Sequence, residues 1–213
     1  MKIEIWSDYA CPFCYIGERR LNKAIDELNA RDEITIEFKS FELDPYASRE
    51  VESSTVDRFA DKYRLSKEDA ARRVESISEM GRAEGIDFRY AETRYTNTFD
   101  AMRVTKLAQA HGLDGIVEKF FDAYFTKNLE LSDRAVLKKI AVDSGLDPVE
   151  VDDVLNSDKY AQDVRDDEAK AIEYGIHSVP HFVIDQKYSM SGAQPTEVIR
   201  DALKKILDAA VVR

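Results

Sequence analysis

Apolar and polar side chains alternate from Lys2 to Ser7, where Ile3 and Ile5 share one side, and again from Ile34 to Phe41, where Ile36 and Phe38 do the same. A period of two predicts a strand in each stretch. Between them Ile16, Leu21, Ile25 and Leu28 recur at helical spacing, so a helix is predicted from about Cys11 to Asn29. Pro12 suits its first turn, where the missing N–H would have had no partner anyway. Strand, helix and strand in this order make a βαβ unit.

From Pro45 to Tyr174 the pattern changes to helix after helix. Ser66 is the expected N-cap of one that runs to Gly81 or Gly85, and others are expected from Thr98 to His111 and from Leu113 to Lys127. A further helix, capped by Ser132, should reach Gly145. Asp147-Pro148 should open the next, through Leu155, and the last should span Tyr160 to Tyr174 before Gly175. No fixed period links these segments, which excludes a helical solenoid. Strand character returns at Ser178–Ile184, with a turn at Asp185-Gln186-Lys187, a short strand at Tyr188–Ser191 and a terminal helix from Gln194-Pro195-Thr196. The expected organisation is therefore a split α/β domain, residues 1–44 and 175–213, interrupted by an all-helical insertion domain, residues 45–174. So small an α/β unit has a marginal core alone, and the insertion is expected to pack on it and cover the active site.

Composition narrows the function. The chain has 213 residues, 44% apolar and 34% charged, with only 8 Gly and 5 Pro, which excludes a disordered or low-complexity chain. It carries 31 Lys and Arg against 42 Asp and Glu, a net charge of −11. That field repels phosphate backbones and anionic lipid, so neither nucleic acid nor membrane is an expected partner. The apolar run near the C-terminus, Ala209 to Val212, is far too short to span a bilayer. The N-terminus turns polar at Glu4 and lacks the apolar stretch of a secretory signal. The expectation is a cytoplasmic chain, or a mature form whose signal has been removed.

Cys11 and Cys14 are the only cysteines. A structural disulfide closing so short a ring contributes only about 2 kcal/mol, which a domain with a full core does not need. Zinc needs four ligands, and the remaining candidates with suitable spacing, His177 and His181, are remote in sequence; no metal is expected. Dithiol redox chemistry is the reading that remains, since C-x-x-C at the first strand-to-helix turn of a βαβ unit is the thioredoxin-like signature. Two thiols at i and i+3 share a helix face and can close a disulfide. At the helix N-terminus, unpaired N–H groups and the macrodipole favour a Cys11 thiolate, which attacks or is attacked; Cys14, a turn deeper, resolves the mixed disulfide. Val179-Pro180 is expected to be cis and to face the dithiol, as in thioredoxin-like domains, leaving the backbone of Val179 to pair with an extended substrate.

Other residues near these motifs have competing readings. Asp8 could raise the Cys11 thiol by its charge, although an N-cap or surface role is the simpler expectation. His177 and His181 could relay protons, against the simpler reading of hydrogen-bonded packing residues. Trp6 and Tyr15 are expected in the core, while Phe13, between the cysteines, is expected to be exposed and to touch substrate. The Asp166-Asp167-Glu168 run is read as a solvated helix face.

Four segments carry a family resemblance: Ser7-Asp8-Tyr9-Ala10-Cys11-Pro12-Phe13-Cys14-Tyr15-Ile16-Gly17, Asn97-Thr98-Phe99-Asp100-Ala101, Gly175-Ile176-His177-Ser178-Val179-Pro180-His181-Phe182 and Ser191-Gly192-Ala193-Gln194-Pro195. Together, in this order, they resemble the DsbA-like thioredoxin-fold oxidoreductases, and specifically their FrnE branch. The resemblance implies an α/β thioredoxin-like fold with a large helical insertion and a thiol–disulfide oxidoreductase. Cys11 would be nucleophile, Cys14 resolving thiol and Pro180 the cis-proline; beside the resemblance, Pro12, Phe13 and Val179 are the expected substrate contacts. It implies no cofactor beyond the dithiol, with glutathione or thioredoxin as electron donor and a protein or small-molecule thiol or disulfide as substrate. Phe13 departs from the pattern: many FrnE-like members carry Trp there, and the secreted DsbA enzymes carry a His that helps hold the thiolate. Without it, the expected potential lies below the secreted enzyme's, within a range of roughly −120 to −270 mV, favouring reduction or isomerisation. Kappa-type glutathione transferases and 2-hydroxychromene-2-carboxylate isomerases share the split fold and form the competing reading, although they need no second thiol. A non-catalytic, chaperone-like module using the insertion's apolar surface is a third.

Overall fold

The computed structural model describes residues 1–211, with side chains to residue 209, so the end of the Ala209–Val212 run lies outside the described residues. Four strands, β1 (Lys2–Ser7), β2 (Thr35–Ser40), β3 (His181–Ile184) and β4 (Tyr188–Ser191), form one sheet in the order β2-β1-β3-β4. β1 and β2 are parallel, joined by the crossover helix α1 (Pro12–Glu27), while β3 is antiparallel to both β1 and β4. The β3–β4 hairpin turns at Asp185 and Gln186, both at positive φ, as the primed turns that match strand twist require. This is the thioredoxin-like arrangement. Strand β3 starts at His181 rather than Ser178, because Ser178 to Pro180 is occupied by the loop that faces α1.

Between the two halves of the sheet lie α2 (Thr55–Tyr63), α3 (Lys67–Ala83), α4 (Phe99–Ala110), α5 (Ile116–Phe125), α6 (Arg134–Asp143), α7 (Pro148–Asn156) and α8 (Ala161–Glu173), and α9 (Thr196–Val211) closes the chain. Helix α2 escapes the hydrophobic pattern, since only Thr55 and Ala60 are buried on it. Its signal is a cap: the Ser54 hydroxyl accepts the Asp57 N–H and donates to the Asp57 carboxylate. Ser66 caps α3 as expected. Helix α6, in contrast, is capped by Asp133, whose carboxylate accepts the Ala135 N–H; the expected cap, Ser132, donates its hydroxyl to the Arg49 carbonyl instead.

Two cores result. Ile3, Ile5, Phe182 and Ile184 of the sheet pack with Leu21 and Ile25 of α1 and Ile199 and Leu203 of α9. A larger cluster joins the turn before α1 to the inserted helices, placing Tyr9, Cys11, Cys14, Tyr15 and Ile16 among Phe88, Tyr90, Phe120, Phe121 and Phe125. The opposite face of the sheet is mixed: Trp6 and Val183 pack on Ala171 of α8 and on Ile176, and ionic pairs surround this small cluster. Asp167 of α8, 5% exposed, pairs with Lys39 at 3.3 Å and with Lys106 of α4, and accepts the Ser40 N–H at 2.8 Å. The expectation of a solvated face at Asp166-Asp167-Glu168 therefore fails at Asp167, which docks α8 on β2. Glu168 also turns inward and accepts the Glu42 N–H.

Candidate active site

The loop Asp8–Ala10 delivers Cys11 to the N-cap of α1, with Pro12 as its first helical residue. Cys11 has extended backbone geometry (φ −87°, ψ 114°), and its carbonyl accepts the Cys14 N–H at 3.1 Å. Its Sγ thus stands at the positive end of a 16-residue helix. The Val179-Pro180 peptide is cis, and the Cys11 thiol donates to the Val179 carbonyl across 3.6 Å. Residues 168 apart in sequence meet here. Gly17, one turn beyond Cys14, allows the approach: a Cβ there would lie 3.1 Å from the Pro180 ring.

Both cysteines are free thiols, 4% exposed at Cys11 and 1% at Cys14. Burial pushes the Cys14 thiol well above its ordinary value, and the hydrogen bond and charge of Cys11 push the same way. Bonds from the Ser7 hydroxyl and the Asp8 backbone N–H offset this in part. The pair is asymmetric: Cys14 holds its proton and directs it at Cys11, whose sulfur sits at the helix end.

Asp8 is neither the N-cap of α1 nor a surface residue. It is buried, and its carboxylate accepts the Ala10 N–H at 3.0 Å, the Leu43 N–H at 2.7 Å and the Thr98 hydroxyl at 2.9 Å. Burial raises its carboxyl above the ordinary range, and these three bonds oppose the rise. Asp8 thereby ties the cysteine turn to the end of β2 and to the start of α4. Thr98 was legible only as part of the Asn97–Ala101 motif.

Of the two residues between the cysteines, Phe13 is 37% exposed, whereas Pro12 is buried and presents little surface to a substrate. Val179 is half-buried and Pro180 buried. Trp6, Tyr9 and Tyr15 are core residues; Trp6 donates its indole N–H to the Asp167 carbonyl at 2.8 Å, and Tyr15 stacks on Phe121 at 5.1 Å. His177 is exposed. His181 lies across from Trp6 on the mixed face of the sheet, where burial lowers its imidazole. Among the described residues neither histidine bonds to the dithiol, and no group of three or more His, Cys, Asp or Glu is placed to hold a metal ion. Nor, among them, is any helix long and apolar enough to cross a membrane.

Residues the sequence reading passed over complete the surroundings. Tyr90, in the 3-10 turn Tyr90–Glu92 of the insertion, is buried near enough to Cys11 to feel its charge. Ser7, buried at the end of β1, hydrogen-bonds to the Cys14 sulfur.

Comparison with known proteins agrees with this geometry. The chain is 36% identical to a probable DsbA oxidoreductase, SCO1869, of Streptomyces coelicolor, with a TM-score of 0.91 over 96% of this chain and 89% of that one. It is 26% identical to the uncharacterized protein YwbO of Bacillus subtilis, over 94% of each chain. The cytosolic disulfide reductase DsbM of Pseudomonas aeruginosa, solved with GSH, shares the fold at a TM-score of 0.67 and 14% identity, over 98% of this chain and all of that one. The DSBA-like thioredoxin domain matches residues 2–204, so the chain belongs to the DSBA-like thioredoxin family, whose members support an oxidoreductase of the thiol–disulfide type.

Proposed function

We propose that the protein is a thiol–disulfide oxidoreductase of the FrnE branch that works through a mixed disulfide at Cys11. The Cys11 thiolate attacks a substrate disulfide; one substrate sulfur leaves as a thiolate and the other stays bonded to Cys11. Cys14 then loses its proton and attacks Cys11 Sγ, the mixed disulfide breaks, and the second substrate thiolate leaves. Two protein thiols are oxidised and one substrate disulfide is reduced. The reverse sequence oxidises a dithiol.

One observation carries this reading. The Cys11 sulfur stands at the N-terminus of α1 against the cis Val179-Pro180 peptide, with the proton-holding Cys14 directly behind it. The half-buried Val179 and exposed Phe13 form the contact surface for substrate. Phe13 offers no hydrogen bond to hold a thiolate, which favours reduction or isomerisation, with glutathione or thioredoxin returning the electrons in a cytoplasmic setting. The split domain, residues 1–44 with 175–213, is the redox unit, and the insertion, residues 45–174, limits access to it.

The test is trapping. A Cys14→Ala variant incubated with disulfide substrates should stall as a mixed disulfide at Cys11, visible as a mass increase that dithiothreitol removes. A variant that forms no adduct, while the intact pair also refuses to close under oxidant, would sink the reading.

A further inference from the structure

Cys14, Gly17 and Arg20 follow one another at every third position of α1 and so share one of its faces. The first carries the resolving thiol. The second is the seat of the cis-proline: a Cβ on Gly17 would stand 3.1 Å from the Pro180 ring and 3.6 Å from Cα of Ala193. The third reaches past that seat. Arg20 donates from Nη1 to the Ala193 carbonyl at 2.8 Å and from Nε to the Glu84 carboxylate at 2.6 Å. Glu84 is the C-cap of α3, so one guanidinium joins the active-site helix, an inserted helix and the turn after β4. Both side chains are largely shielded from solvent, 15% exposed at Arg20 and 13% at Glu84. Among the described residues Glu84 pairs with no other cation, because Arg200, across the same hollow of about 300 Å³, turns to Glu27 and Asp201.

The turn that Arg20 grips is bonded to the cis-proline loop. The Gly192 N–H donates to the Pro180 carbonyl at 2.8 Å, with Gly192 at φ +75°, which glycine adopts without strain. The Gln194 side chain closes the turn on the Ser191 carbonyl at 2.8 Å. Contacts thus run from Glu84 through Arg20, Ala193 and Gly192 to Pro180, and the residue before Pro180 presents its carbonyl to the Cys11 thiol at 3.6 Å. A guanidinium holds two acceptors in one fixed fork, which the single ammonium of a lysine cannot do.

We propose that Arg20 is a positioning residue that clamps the cis-proline loop to the inserted helix α3, and so sets how well the Val179 backbone captures an extended polypeptide disulfide. This rests on the dithiol reading above and adds to it the part that holds the substrate strand. Arg20 touches neither sulfur. Without the clamp, the Gly192-Ala193 turn is released from α1, the loop loses its fixed separation from Cys11, and the backbone of the substrate meets Val179 poorly aligned. Thiol exchange at Cys11 does not itself need that pairing, so a disulfide without a peptide backbone is insensitive to it.

The test compares a disulfide-linked peptide with bis(2-hydroxyethyl) disulfide. Single turnovers of the pre-reduced protein, followed by the loss of free thiols, give a half-saturating concentration and a maximum rate for the peptide, and a second-order rate for the small disulfide. Arg20→Met keeps the aliphatic stem and removes both bonds. It should raise the half-saturating concentration of the peptide about tenfold, the value of one backbone hydrogen bond to substrate, with the maximum rate within about twofold. Its rate with the small disulfide should also stay within about twofold of wild type. Arg20→Lys should fall between wild type and Arg20→Met. Glu84→Gln, an isosteric change that spares the fold, should raise the half-saturating concentration about threefold. Adding it to Arg20→Met should raise the value no further, because the two side chains act as one link. A merely structural role predicts instead a loss of reacting protein, equal for both disulfides, with the half-saturating concentration unmoved. That pattern, a Glu84→Gln or Arg20→Lys variant that matches wild type, or effects of Arg20→Met and Glu84→Gln that multiply, would overturn the clamp while leaving the dithiol reading intact. A wild-type protein that reacts with neither disulfide would overturn both.

Discussion

One face of the sheet carries Ile3, Ile5, Phe182 and Ile184 against α1 and α9, whereas the other carries Glu4, Trp6, Glu37 and Lys39 against α8. The first face is held by burial of apolar area, which is favourable in many orientations. The second adds directed bonds to the small apolar cluster of Trp6, Ala171, Ile176 and Val183. Lys170 reaches Glu4 at 2.9 Å, Lys39 reaches Glu37 at 2.5 Å and Asp167 at 3.3 Å, and Trp6 donates to the α8 backbone. Such pairs add little net stability but tolerate only one arrangement of their partners. The apolar face closes the thioredoxin-like unit. The ionic face fixes how the inserted helices sit on it, and so where Thr98 and Tyr90 meet the cysteine turn.

The largest effect expected from this division is at Asp167. Asp167→Ala leaves Lys106, 9% exposed, without its carboxylate and the Ser40 N–H without an acceptor, and should cost about 3–5 kcal/mol in urea unfolding. Replacing Asp167 by Leu and Lys106 by Met together should recover the share of that loss due to the stranded Lys106 charge and leave the share due to the unpaired Ser40 N–H. A single-variant loss below about 1 kcal/mol would erase the contrast between the faces. Next in size is Phe182→Ala on the apolar face, where a fully buried ring is lost and about 3 kcal/mol with it. No partner substitution should rescue that variant, and its loss should be the same at pH 5 and pH 8, since no charge is involved.

The same division explains what could be read in advance. Periodicity in Ile3, Ile5, Leu21, Ile25 and Phe182 announces the apolar face, because each side chain only has to point inward. The dithiol and Val179-Pro180 were legible as motifs whose chemistry depends on close spacing along the chain. Asp167 was not, since its partners Lys39, Ser40 and Lys106 are more than 60 residues away and a charged run looks the same whether solvated or paired. Asp8 was misjudged for the same reason: its acceptor bonds come from Leu43 and Thr98 as well as from its own turn.

The smallest effect comes from pH and sets the ionic face apart most directly. Burial raises the Glu37 carboxyl, but bonds to Lys2 and Lys39 and their charges outweigh it and hold the group at about 2. A carboxyl lowered on folding contributes stability that is complete above its unfolded value near 4.5 and is lost as pH falls toward 2. Solvent screens this side chain, which is 30% exposed, so the contribution is about 1 kcal/mol rather than the full linkage value. Wild type and Glu37→Gln should therefore differ by that amount in urea at pH 7 and converge as the pH is lowered through 4 and 3. The same pair of titrations made in the Phe182→Ala background should show an unchanged difference, because the apolar face lies on the far side of the sheet from Lys2, Glu37 and Lys39. A difference that collapses in that background would mean that the two faces do not act independently.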